Sequence, residues 1–131
     1  MAAASTRAAT VRVLIADDHR LFAEVLEVVL ASEPDLTVVG RAADGAEAVA
    51  LARSLEPDVV LLDISMPVLD GFEAAAAITK LPSRPAIVML TGSGAAQDVD
   101  RARRLGASGY VTKDAISARL VDAIRTAAEG S

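Results

Sequence analysis

Five short apolar runs alternate along the chain with longer segments that carry a helical period. The runs occupy residues 11–16, 36–40, 59–62, 86–90 and 110–112. Aliphatic and β-branched residues dominate them, and glycine, proline or charged residues bound them, which is typical of β-strands. The run 59–62 has no polar interruption, so it predicts a central strand that is covered on both faces.

The segments between these runs predict five helices. Pro34 marks the exit of the first, and Asp44 with Gly45 opens the second. The third is rich in alanine and runs from near Phe72 to Lys80, and the fourth is mostly polar. The side chains expected to face the sheet are Phe22, Val25, Leu26, Val29 and Leu30 in the first helix, Ala48, Val49, Ala52 and Leu55 in the second, and Ile116, Leu120, Ala123, Ile124 and Ala127 in the fifth.

Alternating strands and helices of this length predict an α/β fold, a doubly wound parallel sheet with helices on both faces. The 131 residues suffice for one domain with a sizeable core. We assign this domain to residues 11–131 and interpret residues 1–10, which lack the apolar stretch of a secretory signal, as a disordered tail. No apolar run approaches the roughly 18 residues of a membrane span, and we expect a cytoplasmic protein.

The composition excludes several kinds of binding site and catalysis. A net charge of -5 disfavours direct contact with nucleic acid, which binds positively charged surfaces. The chain has no cysteine, which excludes disulfides and thiolate catalysis, and its single histidine excludes an imidazole cluster. Any metal is therefore expected to be held by oxygen atoms. His19 is interpreted as a residue at the start of the first helix and not as a ligand.

Polar side chains follow four of the predicted strands. Asp17 and Asp18 come after the first strand, Asp63 after the third, Thr91 after the fourth and Lys113 after the fifth. The carboxyl ends of parallel strands share one edge of a sheet, where ligands bind in this class of fold. Three converging carboxylates repel one another unless a cation neutralises them, and Mg²⁺ prefers such oxygen ligands. A carboxylate nucleophile, Mg²⁺ and a lysine together can carry out phosphoryl transfer.

The order and spacing of these motifs resemble the receiver domain of two-component response regulators. The resemblance rests on Asp17-Asp18, Asp63 with Met66-Pro67 and Asp70-Gly71, Thr91-Gly92, and the segment Tyr110-Val-Thr-Lys113. It covers residues 11 to about 128, and it is greatest to receivers of the NarL/FixJ/LuxR type, which carry a C-terminal helix-turn-helix domain. It implies a flavodoxin-like sheet, as in CheY, with the strand order 2-1-3-4-5.

The resemblance also implies a role for each residue at the sheet edge. Asp63 would accept a phosphoryl group from a sensor histidine kinase or a small donor such as acetyl phosphate. The residues that would hold Mg²⁺, or Mn²⁺ in its place, are Asp18, Asp63 and the main-chain carbonyl of Ser65, with Asp17 acting through water. Lys113, Thr91, Ser65 and Gly92 would contact the phosphoryl group. Tyr110 would change rotamer as Thr91 moves inward.

The resemblance implies that the chain is a signalling switch, with at most self-phosphorylation and self-dephosphorylation activity. Its output surface would be the fourth helix, the fifth strand and the fifth helix. We expect it to control a partner, dimerisation on phosphorylation, or a DNA-binding domain that lies outside this chain. Without such a domain after Ser131, the chain is either a stand-alone receiver or a receiver from a longer regulator.

Two features depart from the family pattern. Asp114 follows Lys113 where many receivers have proline, so the sequence leaves open whether that peptide bond is cis. Ser65 and Ser93 occupy the positions that tune hydrolysis of the phosphoryl group, and serine at both leaves its lifetime open.

Two other functions fit an acid at a strand end. A phosphatase that forms an aspartyl-phosphate intermediate on small substrates would carry a second acid two residues after its nucleophile, but that position is Ser65. A flavodoxin-like cofactor binder would need aromatic residues and a glycine-rich phosphate loop after the first strand. The chain has only 2% aromatic residues and no such loop.

Overall fold

The computed structural model of the chain describes residues 10–92 and 96–130. Ser93 and most of the predicted tail, residues 1–9, therefore lie outside the described residues. The strands are β1 (Val11–Ala16), β2 (Leu36–Ala42), β3 (Val59–Asp63), β4 (Ala86–Thr91) and β5 (Gly109–Thr112). The helices are α1 (Arg20–Ala31), α2 (Gly45–Leu55), α3 (Gly71–Ile78), α4 (Ala96–Arg104) and α5 (Ile116–Gly130), with a 3₁₀ turn (Lys113–Ala115) before α5.

The five strands form one parallel sheet in the order β2-β1-β3-β4-β5. This confirms the predicted fold class and strand order. Every residue of β3 and β4 is buried, as the uninterrupted apolar run in β3 predicts. None of the described helices is long and apolar enough to cross a membrane.

Two apolar layers cover the sheet, one on each face. Alternate strand residues such as Ile15 and Leu61 pack against α1 and α5, whereas their neighbours Leu14 and Leu62 pack against α2, α3 and α4. This alternation is the two-residue period of a strand. It fixes the register of the central strands, because a slip by one residue would exchange the two faces.

Some predicted boundaries and one predicted core residue are wrong. Strand β2 continues to Ala42, since it pairs with the whole length of β1 across a register shift between Val13 and Leu14. Helix α3 ends at Ile78, two residues before Lys80. Val25 was expected to face the sheet but is 50% exposed. Helix α1 instead approaches the sheet through small Ala23 together with Leu26 and Leu30, which turns Val25 outward.

Gly45 allows a loop to pack directly on the first turn of α2. A Cβ atom at this position would collide with the main-chain carbonyl oxygen of Leu69, in the loop between β3 and α3. The Gly45 N–H also donates to the Pro67 carbonyl oxygen at 3.4 Å. Gly45 opens the second helix, as the sequence predicts, and it also permits this close approach of two backbones.

We expect Gly45→Ala to lower the free energy of unfolding by about 1–3 kcal/mol, the usual cost of overpacking a tight contact. Alanine favours a helix over glycine by about 1 kcal/mol, so any net loss must come from the collision with Leu69. Urea denaturation measures the difference. Gly130→Ala is the matched control, because its added Cβ meets nothing within 4 Å. Equal stability of Gly45→Ala and the wild type would contradict the prediction.

Candidate functional site

The carboxyl edge of the sheet brings together the polar residues predicted from the sequence. Asp17 directly follows β1, Asp63 ends β3, Thr91 ends β4 and Lys113 follows β5. Asp17, Asp63 and Thr91 are buried, at 4%, 2% and 6% exposure. Buried acids need compensation by charge or hydrogen bonds, so the contacts of each one decide what the site can do.

Asp17 and Asp18 are neighbours in sequence but differ in exposure. The side chain of Asp17 is fully buried, and that of Asp18 is 34% exposed. Asp17 Oδ1 accepts a hydrogen bond from the His19 N–H at 2.8 Å. Asp17 Oδ2 accepts none, since Lys113 Nζ approaches it at 3.2 Å outside hydrogen-bond geometry. This buried carboxylate oxygen can therefore still accept a hydrogen bond or bind a cation.

Asp63 lies at the centre of the site. Its Oδ1 accepts a long hydrogen bond, 3.3 Å, from the Ser65 N–H, and its Oδ2 accepts one from Lys113 Nζ, also 3.3 Å. Burial raises the pKa of Asp63, and the negative charge of Asp17 raises it further. The charge of Lys113 and the Ser65 N–H oppose these effects in part. These two contacts thus hold the carboxylate in position, but they do not fully offset the cost of its buried negative charge.

Lys113 is the cation shared by the two buried acids. Its Nζ atom lies 3.2 Å from Asp17 Oδ2 and 3.3 Å from Asp63 Oδ2. It also lies over the ring of Phe22, 4.5 Å from the ring centroid, a cation–π distance. Sequence reasoning had placed Phe22 only in the apolar stripe of α1. Its second role comes from the Lys113 side chain reaching the Phe22 ring, for which the sequence holds no signal.

The loop after Asp63 is anchored at its far end. The Gly71 N–H donates to the Ile64 carbonyl oxygen at 2.7 Å, and a Cβ atom at Gly71 would collide with the Asp63 carbonyl oxygen. Asp70 and Glu73 form a capping box that starts α3 at this point. The start of α3 therefore packs against the backbone of Asp63 and Ile64, directly before Ser65.

The remaining predicted site residues lie around this centre. Thr91 pairs in register with Thr112 of β5, and Gly92 and Ser65 are exposed. Tyr110 is half-buried against the layer of α2, α3 and α4. Their proposed contacts with a phosphoryl group, and the rotamer change of Tyr110, stay predictions. The described peptide bonds, including that between Lys113 and Asp114, are all trans.

His19 occupies the N-cap position of α1, as predicted for a residue at a helix start. Its side chain makes no capping hydrogen bond, and the ring turns toward the acids. Nδ1 lies 3.4 Å from Asp17 Oδ1, 3.4 Å from Asp18 Oδ1 and 4.0 Å from Asp63 Oδ2. His19 directly follows Asp17 and Asp18 in the sequence. This position is a signal that the side chain can lie near the acids, which the assignment to a helix start does not include.

The donor set fits a divalent cation. One ligand atom from each of Asp17, Asp18, His19 and Asp63 lies within 4.8 Å of the other three. The group combines the buried Asp17, whose Oδ2 accepts no hydrogen bond, with Asp18, whose side chain is 34% exposed. Carboxylate oxygens of this kind suit a hard cation such as Mg²⁺.

We expect Asp63→Asn to raise the melting temperature at neutral pH, in EDTA, and to leave it nearly unchanged in strong acid. Below about 3.9, the pKa of an unfolded aspartate, Asp63 is protonated in both states. As the pH rises toward the higher folded-state pKa, the unfolded chain loses this proton first, so the wild type loses stability. The asparagine variant carries no such charge. Thermal unfolding across a pH series tests this, and a pH-independent difference would contradict it.

The chain resembles known proteins over nearly its whole length. Residues 13–125 match the response regulator receiver domain family. The transcriptional regulatory proteins YxjL and LiaR of Bacillus subtilis are 42% and 40% identical over 120 residues, which is 92% of this chain. The alignments cover 55% and 57% of those proteins, so the chain spans about half the length of the curated relatives it matches.

Solved structures give the same picture. The signal receiver domain of the putative response regulator NarL from Mycobacterium tuberculosis is 36% identical to this chain, with a TM-score of 0.86. The match covers 93% of this chain and 98% of that one. The resemblance therefore extends over nearly the whole length of both chains.

Proposed function

Because the chain belongs to the response regulator receiver domain family of two-component systems, we propose that it is a switch controlled by phosphorylation of Asp63. The observation that carries this proposal is the position of Asp63. Its carboxylate is buried at the carboxyl edge of the sheet, 3.3 Å from Lys113 Nζ and close to a second buried acid, Asp17. Its relatives are transcriptional regulators.

In the proposed reaction a carboxylate oxygen of Asp63 attacks the phosphorus atom of the donor. A bond forms between this oxygen and phosphorus, and the bond to the leaving group breaks, either the imidazole nitrogen of a phosphohistidine or the acetate oxygen of acetyl phosphate. The raised pKa of Asp63 indicates a carboxylate that is poorly solvated, which favours nucleophilic attack. The Ser65 N–H and Lys113 hold its two oxygens in place.

The acids would hold Mg²⁺, with Mn²⁺ as a substitute. Asp18, Asp63 and the main-chain carbonyl of Ser65 would bind it directly, and Asp17 through water. When bound, the ion neutralises the carboxylates and the negative charge of the phosphoryl oxygens. Lys113 would add a fixed positive charge, and the Thr91 hydroxyl, Ser65 and the backbone near Gly92 would contact the same oxygens.

The output would pass through the surface of α4, β5 and α5. A groove of about 360 Å³ lies between β5 and α5, with Tyr110 and Arg119 in its wall. Tyr110 also lines a second groove beside α4, so a change in its rotamer would alter both. We propose that a partner, a second copy of the chain or a helix-turn-helix domain of a longer regulator responds to this change.

The proposal includes a sensor histidine kinase as phosphodonor and the cytoplasmic location predicted from the sequence. It also includes the limited activity of a receiver, self-phosphorylation and self-dephosphorylation without turnover of other substrates. Ser65 supports this limit, because a phosphatase of the aspartyl-phosphate type would carry an acid at that position. No insertion among residues 10–92 and 96–130 forms a cap that could select a substrate.

Incubation of the wild-type chain with acetyl phosphate and Mg²⁺ tests the function. Intact-mass measurement is expected to show a gain of one phosphoryl group per chain, and EDTA is expected to prevent it. Size-exclusion chromatography with beryllofluoride then tests self-association. Continuous release of phosphate over many rapid turnovers would contradict the switch and favour the phosphatase.

A further inference from the structure

We propose that His19 supplies a nitrogen ligand to the cation held by the acidic pocket, which makes this pocket bind transition-metal ions such as Zn²⁺. The inference rests on the proposed function of the pocket as a cation site, and it adds a residue and a metal preference to that function.

The distances from the ring suit ligands of one ion. His19 Nδ1 lies 3.4 Å from Asp17 Oδ1, 3.4 Å from Asp18 Oδ1 and 4.0 Å from Asp63 Oδ2. Ligand atoms at about 2.1 Å from one octahedral ion are separated by about 3.0 Å when adjacent and about 4.2 Å when opposite. The observed separations fall between these limits. An ion can therefore contact the ring nitrogen and the carboxylates together after small side-chain movements.

The surroundings of the ring leave Nδ1 available to a cation. The main chain of His19 is fixed, because its N–H donates to Asp17 Oδ1 at 2.8 Å and its carbonyl accepts the first hydrogen bond of α1 from Ala23. The side chain caps no helix N–H and is 66% exposed, so an ion can reach it from solvent. Lys113 contacts the Oδ2 atoms of Asp17 and Asp63. The ring lies nearest to the Oδ1 atoms of Asp17 and Asp18, and it shares only Asp63 Oδ2 with the lysine.

A second observation points to a ligand in this pocket. Asp17 Oδ2 is buried and accepts no hydrogen bond, although the Asp17 side chain is fully enclosed. Its ion pair with Lys113 leaves one acid charge of the buried pair uncompensated, since the single lysine serves both Asp17 and Asp63. A divalent cation at the mouth would supply the missing positive charge.

The chemistry of the donors decides which ion gains most. Carboxylates and water suit Mg²⁺ and Mn²⁺, whereas imidazole suits Zn²⁺ and other later transition metals. An all-oxygen pocket binds Zn²⁺ by its acids alone. With His19 as a ligand, part of the affinity for Zn²⁺ depends on the ring, and the affinity for Mg²⁺ does not.

Calorimetric titration of the tag-free chain tests this dependence. We expect His19→Asn to raise the Kd for Zn²⁺ by at least about tenfold and to change the Kd for Mg²⁺ by less than about twofold. Asparagine is a favourable N-cap residue, so α1 should keep its start. Lys80→Gln, at an exposed position beyond the end of α3, is the control and is expected to bind both ions as the wild type does.

A spectroscopic readout identifies the ligand directly. His19 is the only histidine of the chain, so its ring C–H signals are the only imidazole signals in the proton NMR spectrum of the tag-free protein. We expect Zn²⁺ to shift both signals in the wild type and to need a higher concentration in Asp18→Asn. Ring signals that stay unchanged at saturating Zn²⁺, or equal Zn²⁺ affinity in the wild type and His19→Asn, would overturn the inference and leave the ring as an ion-pair partner of the acids.

The outcome is separable from that of the proposed function. If only the role of His19 is wrong, the wild type is still phosphorylated with Mg²⁺ while its Zn²⁺ affinity does not depend on the ring. If the proposed phosphorylation of Asp63 is wrong, the wild type gains no phosphoryl group, whatever the zinc titration shows.

Discussion

Asp63→Asn is expected to reduce phosphoryl labelling by acetyl phosphate below detection. The amide has nearly the shape of the carboxylate, so the backbone contacts of the loop after β3 should persist. Its oxygen is a far weaker nucleophile than a carboxylate oxygen, and its nitrogen cannot form a stable acyl phosphate. Because the variant also lacks the buried charge, we expect it to be folded and at least as stable as the wild type. Intact-mass measurement after incubation with Mg²⁺ gives the result.

Asp100→Asn is the matched control for this experiment. Asp100 is an exposed aspartate on α4 that does not belong to the group of Asp17, Asp18, His19 and Asp63, and its variant should label like the wild type. A phosphoryl group that survives in Asp63→Asn would show that another residue carries it. Circular dichroism of both variants separates a lost nucleophile from a lost fold.

The edge that carries Asp63 could be predicted from the sequence because it depends on one regular rule. Asp17, Asp63, Thr91 and Lys113 each follow an apolar run, and parallel strands bring their carboxyl ends to the same edge. The predicted fold class and the placement of these residues at one edge were therefore correct, and the strand order that the family resemblance implied was correct as well. Their proposed roles in binding a phosphoryl group are predictions still to be tested.

What the sequence did not reveal depends on contacts between elements. Val25 lies within the expected apolar stripe of α1, but the closeness of Ala23 to the sheet rotates the helix and exposes it. The sequence predicts Gly45 only as the opening of the second helix, although this residue also lets the Leu69 carbonyl oxygen approach α2. Neither effect leaves a periodic pattern or a motif in the sequence, because each depends on the distance between two packed backbones.

The different exposure of Asp17 and Asp18 also could not be predicted from the sequence. Asp17 and Asp18 look equivalent in sequence, yet one is fully buried and the other is partly exposed, because successive residues at a strand end point to opposite sides. The sequence predicted a cation to neutralise three acids. The structure shows that Lys113 already pairs with the two buried ones, Asp17 and Asp63. The exposed Asp18 is thus the acid most accessible to an ion that arrives from solvent.

Lys113→Met is expected to slow phosphoryl labelling of Asp63 by about 10²-fold, the usual cost of removing one electrostatic contact to a developing charge. Methionine keeps an apolar chain of similar length against the ring of Phe22, so the packing is largely preserved while the charge is lost. Without Lys113 the charges of Asp17 and Asp63 are uncompensated, which raises the pKa of Asp63 further. Time courses of labelling with acetyl phosphate at saturating Mg²⁺ measure the rate.

The affinity for Mg²⁺ separates this role of Lys113 from a general loss of structure. Removing a positive charge beside the acids should leave Mg²⁺ binding as tight as in the wild type or tighter, so the labelling rate falls while the cation affinity does not. Lys80→Met, at an exposed lysine beyond the end of α3, should change neither quantity. A Lys113→Met variant that labels at the wild-type rate would show that Lys113 only compensates the charges of the unphosphorylated site. The phosphoryl oxygens would then have to be neutralised by Mg²⁺ and by hydrogen-bond donors near Thr91.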